Sequence, residues 1–422
     1  MTQISSSAEQ SHQTLEQLAL KRLKGNRRSG FDPYYRINYE YSIPSPGRYV
    51  WQWFWDSCFH VIALAKLDAG MAVRELETLL ATQKDDGFIG HIVYWGRTGS
   101  LMSAIFMQGR FGEWRRRHSA MIQPPLLGQA LEAVWNATGD RELLNRNLPK
   151  VIAYYNWIAR ERDPDDTGLF SIISPFECGM DNSPVYDAPL GLNHPGRISL
   201  LWANRKLDWS NYLLGRFDLA RIKRRNGFHA VDPLMNAVMA EGLRATARLL
   251  AESDHADEIA SVTRQAQKIE DAINDKLWDE DLGYYVYLYG NEEKRLTDLT
   301  AGSIMPLICQ STPKERVQRV VEEHLLNPEE FWATLPVPSV ARNHPDYDPV
   351  GESSIWRGPV CMNLNWFLVH GLRMHGHTET ADRIAKRSRD AAYKDFREFY
   401  SPETGAGMRG TQFGWATAVV DM

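Results

Sequence analysis

Cysteine is scarce: 422 residues carry four thiols, Cys58, Cys178, Cys309 and Cys361, with no CxxC pair. Such wide spacing excludes a disulfide framework or a cysteine-based zinc site, and it reads as the reduced thiols of a cytoplasmic protein. No apolar run reaches the ~18 residues that a membrane-crossing helix needs. The start, Met1 to Ser7, has neither the basic residues nor the apolar stretch of a secretory signal. An excess of positive charge is missing too. The 48 Lys and Arg against 53 Asp and Glu leave a net charge of −5, which excludes a general nucleic-acid or anionic-membrane binder. There is no P-loop and no strand-borne GxGxxG, so no nucleotide cofactor is expected, nor any other cofactor.

What is abundant is apolar and aromatic material: 43% hydrophobic residues, with 14 Trp, 17 Tyr and 15 Phe. Much of it recurs at helical spacing. Leu15, Leu18, Leu20 and Leu23 rise together and stop at Gly25-Asn26, and Ile259, Val262, Ala266, Ile269, Ile273 and Leu277 line one helix face. The same period predicts helices over about 57–68, 71–83, 126–138, 149–161, 233–251, 313–325, 361–374 and 378–394, in an all-α chain with short β excursions. Three helix ends, at Gly139, Ser253 and Gly376, are each followed at once by a new helix, as in a helical hairpin. The second helix of each pair runs into an acidic turn ending at Gly168, Gly283 or Gly405, and these glycines lie 115 and 122 residues apart. That period is too long for a solenoid, whose repeats run about 20–50 residues. Two hairpins per period suit a closed double ring, an (α/α)6 barrel or toroid, with helix N-termini and loops gathered at one mouth. A flexible N-terminus over residues 1–13 and a single catalytic domain over 14–422 are the expected organisation, with a homo-oligomer left open.

The densest aromatic segment is Tyr49-Val50-Trp51-Gln52-Trp53-Phe54-Trp55-Asp56-Ser57. Tyr49, Trp51, Trp53 and Trp55 alternate, which places them on one side of an extended strand before a helix capped by Asp56 or Ser57. A buried aromatic plug would look similar. Interleaved Gln52 and Asp56 favour a carbohydrate, which offers C–H faces for stacking and hydroxyls for hydrogen bonds. The combination recurs at Trp356-Arg357-Gly358-Pro359 with Asn363, Asn365 and Trp366, and at Gln412-Phe413-Gly414-Trp415. Two acids stand in irregular segments. Asp181 lies in a proline-bounded loop, 174–184, with Glu177 as its competitor; Glu398 is flanked by Phe399 and Tyr400, while Glu403 belongs to the repeated turn. Two carboxyl groups across a sugar pocket suffice for glycoside hydrolysis, one protonating the leaving oxygen and the other activating water or attacking the anomeric carbon.

These segments together resemble glycoside hydrolase family 63, and within it the compact bacterial mannosylglycerate and glucosylglycerate hydrolases. The resemblance runs from about residue 30 to the C-terminus. It rests on Gln52-Trp53-Phe54-Trp55-Asp56-Ser57, Gln123-Pro124-Pro125, Gly179-Met180-Asp181-Asn182-Ser183-Pro184, Trp356-Arg357-Gly358-Pro359 and Glu398-Phe399-Tyr400. It implies Asp181 as general acid and Glu398 as general base of an inverting, exo-acting α-glycosidase. It also implies Tyr49, Trp53, Asp56, Gln123, Trp356 and Trp415 as the wall of the subsite for the non-reducing sugar. The motif residues Gln52, Trp55, Gly179 and Gly358 join that binding set. Gln412 lies where a glycerate-contacting glutamine is expected, and an arginine of the basic segment 205–225, taken here as Arg216, could clamp a carboxylate. A solvated cationic face would explain that segment equally. Ile355 departs from the tyrosine that usually precedes the Trp-Arg-Gly-Pro motif, which weakens the case for glycerate. The preferred substrate is nevertheless glucosylglycerate, ahead of mannosylglycerate and short α-glucosides.

Two rivals remain. A sugar epimerase or isomerase would need histidines in the pocket, and His60, His91 and His229 are the candidates; a sugar-binding protein without turnover needs only the aromatic wall. His375-Gly376-His377 reads as a hairpin turn rather than a metal site. Asp163 to Gly168 resembles a calcium loop but has Ser174 where the twelfth-position glutamate belongs.

Overall fold

The computed structural model describes residues 13–95, 118–352 and 355–422, so the expected flexible N-terminus lies outside it save for Gln13. The main helices are α1 (Leu15–Asn26), α2 (Phe54–Leu67), α3 (Ala69–Leu80), α4 (Leu127–Thr138), α5 (Arg141–Arg162), α6 (Arg197–Ser210), α7 (Pro233–Ala251), α8 (Ile259–Ala272), α9 (Met362–Met374) and α10 (Thr378–Lys394). Side-chain caps start several of them. Thr14 and Gln17 form a capping box on α1, and Asp68, Asp140 and Asp232 each accept from a first-turn N–H of α3, α5 and α7.

The helices sort into two layers by their apolar surface. Every residue of α2 from Phe54 to Leu64 is buried, and α7 is buried on all sides over most of its length. By contrast α8 buries a single face, Val262, Ala266, Ile269, Glu270 and Ala272, and α10 likewise one face, Thr380, Ala381, Ile384, Ala385, Ser388, Ala391 and Ala392. Helices apolar all round belong inside, and striped ones outside. Among the described residues α2 packs on α4, α4 on α7, α7 on segment 305–308, that segment on α9, α9 on Trp415–Asp421, and the last returns to α2. The inner segments thus close a ring, with α3, α5, α8 and α10 each set against it. The start of α2 and the start of the final segment meet at one mouth, beside the segments that lead into α4 and α9.

Three differences from the sequence expectation have physical causes. Helix α2 starts at Phe54 after Trp53 and no side chain caps it, so Asp56 sits in its first turn rather than at its cap. Helix α5 starts at Arg141, eight residues before the expected 149, because Asp140 caps it and Pro149 is carried inside. The Asn145 carbonyl, which Pro149 cannot bond, takes the His255 Nε2–H at 3.2 Å. Helix α6 was not expected, since it leaves Ile198, Leu201 and Trp202 exposed and shows no amphipathic stripe. The β content is short, as expected: strands β1 (Arg27–Asp32) and β2 (Ile37–Ser42) form a hairpin, and four short strands, 294–296, 287–289, 230–231 and 171–172, pair in that order.

The four cysteines are free and buried, and no helix among the described residues is long and apolar enough to cross a membrane.

Candidate active site

The mouth of the ring holds a pocket lined by Pro44, Tyr49, Trp53, Trp55, Asp56, Gln123, Gly179, Asp181, Ile355, Trp356, Glu398, Phe413 and Trp415. Its first wall comes from strand β3 (Gln52–Trp53), which pairs with β4 (Ile92–Val93) and turns directly into α2. The corner places Trp53, Trp55 and Asp56 together. It also corrects the expected alternation over Tyr49 to Trp55, because regular strand extends over two residues only. Trp51 falls outside the pocket and packs edge-on against Tyr94, with ring centres 4.9 Å apart. The backbone N–H of Trp55 donates to Gln123 Oε1 at 3.1 Å, which fixes Gln123 at the pocket edge.

The second wall is Trp356, held in a left-handed conformation (φ +66°) that a bulky side chain adopts only under tertiary constraint. The buried Arg357 beside it supplies that constraint by donating to Asp187, six residues past Asp181. Trp356 meets Phe399 edge to face at 5.1 Å, and Trp55 meets Trp415 likewise at 5.3 Å, so rings from three parts of the chain close one cup.

Asp181 sits in a turn closed by the Ser183 N–H on the Met180 carbonyl, at 2.9 Å. Gly179 lines the pocket at φ +78°, and a Cβ there would meet the Trp55 ring at 2.6 Å, so the loop approaches the aromatic wall only through glycine. The competing acid Glu177 is fully buried elsewhere. It accepts from Arg162, from the Ile122 N–H at 3.0 Å and from the Ile173 N–H at 2.8 Å, and so staples the Asp181 loop to the segment bearing Gln123.

Glu398 stands on strand β5 (Arg397–Tyr400), paired with β6 (Gly407–Thr411), where the register shifts between Arg397 and Phe399. Such an irregularity re-aims a side chain, and here the one concerned is Glu398. Its carboxylate is 2% exposed and accepts from Tyr49 Oη at 2.7 Å and the Gly410 N–H at 3.1 Å. The half-exposed Arg48 stands 3.7 Å away. These donors replace the water that burial removes. Asp56 has no such set: its Oδ1 has no partner among the described residues, and burial, followed by the nearby Glu398 charge, holds its carboxyl well above the usual range. Burial and Glu398 likewise push the Tyr49 phenol up, which keeps it a donor to Glu398.

A family model described as the mannosylglycerate hydrolase MGH1-like glycoside hydrolase domain matches residues 49–416, a span that includes every residue of the cup except Pro44. The chain belongs to that family. A mannosylglycerate hydrolase of Thermus thermophilus is 30% identical over 90% of this chain and 95% of its own. A glucosylglycerate hydrolase of Mycolicibacterium hassiacum is 25% identical over 89% and 92%. A solved structure of a Thermus thermophilus mannosylglycerate hydrolase, in complex with Tris and D-glycerate, superposes with a TM-score of 0.81 at 28% identity, covering 96% of this chain and 98% of that one. This glycoside hydrolase therefore has the predominantly helical fold of that structure.

Of the residues singled out from the sequence, the cup unites Tyr49, Trp53, Trp55, Asp56, Gln123, Gly179, Asp181, Trp356, Glu398 and Trp415. It leaves out four. Gln52 points away from the cup, because successive strand residues face opposite sides, and spends its amide on Trp95 and Ser57. Gly358 is needed where its chain passes the Asp348 carbonyl, which a Cβ would meet at 2.7 Å. Gln412 is exposed, and its backbone carbonyl accepts from Asn26. Arg216 is exposed at the end of the segment after α6 and lines no wall of the cup. Pro44, Ile355 and Phe413 line the cup although none was placed in the binding set: Ile355 was marked only as a departure from the tyrosine before Trp356, Phe413 only as part of the aromatic motif ending at Trp415, and Pro44 by nothing.

The histidines of the rival epimerase reading are engaged elsewhere and line no wall of the cup. His60 bonds Glu75 at 3.0 Å, His91 bonds Ser119 at 2.5 Å and His229 bonds the Gly227 carbonyl at 2.9 Å.

Proposed function

We propose that this hydrolase is an inverting, exo-acting α-glycosidase of small glycerate glycosides, with Asp181 as general acid and Glu398 as general base. The observation that carries the proposal is that two acids more than two hundred residues apart line one tryptophan-walled cup. A glycosidic oxygen near Asp181 takes its proton as the bond to the anomeric carbon breaks. Water on the opposite sugar face loses a proton to Glu398 as it attacks. Tyr49 and the Gly410 N–H hold that carboxylate, leaving lone pairs for the water. Trp53, Trp55, Trp356 and Trp415 stack on the sugar, and Asp56 and Gln123 meet its hydroxyls.

The ring of inner segments backed by outer helices reads as an (α/α)6 barrel, and the closed cup as a site releasing one monosaccharide at a time. Glycerate as leaving group is supported by the names of the relatives. For the sugar, the mannosylglycerate hydrolase stands at 30% identity and the glucosylglycerate hydrolase at 25%, so both hexoses belong in the test. The experiment is a release assay across α-glucosyl and α-mannosyl glycerates, glycerols and disaccharides, with Asp181→Asn in parallel. Turnover of a glycerate hexoside at least tenfold faster than of any disaccharide supports the reading. Equal rates for all of them reject glycerate recognition, and an Asp181→Asn variant as active as wild type rejects the acid.

A further inference from the structure

Behind the aromatic wall, on the side away from the cup, a buried polar chain has no role in the reaction described above. Its centre is Glu75 of the outer helix α3, fully buried among Leu76, Leu79 and Leu80. Glu75 Oε1 accepts from Ser57 Oγ at 3.1 Å and bonds His60 Nδ1 at 3.0 Å. Its Oε2 accepts from the Ser42 N–H at 3.1 Å and from Arg27 Nη1 at 3.4 Å. Ser57 Oγ accepts in turn from Gln52 Nε2 at 3.1 Å, and Gln52 Oε1 accepts from Trp95 Nε1 at 2.7 Å.

The placement of these partners matters more than their number. Gln52 immediately precedes Trp53 and Ser57 immediately follows Asp56, so the chain of bonds clasps both ends of the corner that supplies the first wall of the cup. His60, one turn further along α2, supports the segment that carries Trp415. A Cβ on Gly414 would lie 2.0 Å from its Nε2, so the backbone just before Trp415 rests against the ring. One carboxylate therefore indexes the Trp53–Asp56 corner against the Trp415 segment. Stability alone does not explain it, since apolar residues of similar volume commonly serve as well as a buried ionic cluster.

We propose that Glu75 is a positioning residue for hydrolysis, holding Trp53 and Asp56 in register with Trp415 and Glu398 although it does not reach the cup. The proposal rests on the cup being a glycosidase site. Glu75→Gln preserves shape but replaces one acceptor by a donor, which loosens the corner by a fraction of an ångström. Misplacement on that scale acts on the transition state more than on stacking, so kcat should fall roughly 10- to 100-fold while KM changes less than about threefold. Glu270→Gln is the matched control. Glu270 is equally buried, pairs with Arg244 between α8 and α7, and lines no part of the cup. It should lower the melting temperature with kcat unchanged.

Amide exchange of residues 52–57 reads the clasp without any substrate. It should quicken in Glu75→Gln and not in Glu270→Gln, so a wild-type chain that hydrolyses no glycoside would reject the proposed function and still leave Glu75 tested. If Glu75→Gln does not fold, Ser57→Ala carries the test. It keeps the carboxylate, cuts the link to Gln52 and should lower kcat about threefold or more. Wild-type kcat, or wild-type exchange at 52–57, in the folded variant overturns the proposal.

Discussion

Glu398 and Asp56 share one buried cup and meet that burial differently. Glu398 is surrounded by the Tyr49 hydroxyl, the Gly410 N–H and the Arg48 guanidinium, whereas Asp56 has an oxygen without a partner and a raised pKa. The reading gives the base to the first and hydroxyl binding to the second. For the acid, Asp181→Asn should lower kcat/KM on a glyceryl or glycosyl leaving group by about 10²- to 10⁴-fold. On a dinitrophenyl glycoside, whose phenolate leaves without a proton, the loss should shrink markedly. An equal loss on both would mean that Asp181 binds rather than protonates. Gly179 makes a separate point at this scale. Alanine there puts a methyl group 2.6 Å from the Trp55 ring at φ +78°, so Gly179→Ala should displace the ring and raise KM about tenfold, at a stability cost of about 1–3 kcal/mol. Steady-state kinetics and a denaturant titration check both.

At the scale of elements, the cup depends on how closely the inner helices cross. A Cβ on Gly128 of α4 would lie 2.1 Å from the Gly242 carbonyl of α7, and one on Gly242 would lie 2.1 Å from Tyr155 Oη of α5. Tyr155 already donates to the Pro125 carbonyl and accepts from the Gly128 N–H, so neither neighbour has room to yield. Gly242→Ala should therefore destabilise the fold by about 2–3 kcal/mol even though alanine is the better helix former. A chemical melt giving a gain would show that the helices separate more easily than their packing implies. The same helices explain what the sequence made legible. Period locates α1, α7, α9 and α10 to within a residue or two because single stripes or unbroken apolar runs decide them. Around Pro149 the pattern misleads, because the compensating partner, His255, lies more than a hundred residues away.

At the scale of the molecule, pH is the probe. Burial raises the Asp232 carboxyl to about 6, although Tyr186 and the start of α7 hydrogen-bond it. A raised acid is neutral in both states at low pH. As pH rises from about 4 to about 6 the unfolded chain ionises first, and the fold loses up to about 3 kcal/mol that does not return above pH 6. Asp232→Asn should remove that slope: wild type minus variant stability should fall between pH 4 and 6 and stay flat above, and a difference constant with pH would contradict the assignment.

The cup itself was legible because several of its motifs are short runs that bring more than one side chain into it, as Trp53-Phe54-Trp55-Asp56 does. The role of Gln52 was not, since strand parity turns it away from its neighbours, and Glu75 carried no local signal at all. The central claim, that Asp181 and Glu398 flank one bond with a water between base and sugar, is tested most directly by proton NMR of a fresh digest of an α-hexosyl glycerate. The account predicts that the β-anomer appears first and then mutarotates; the α-anomer first would contradict it.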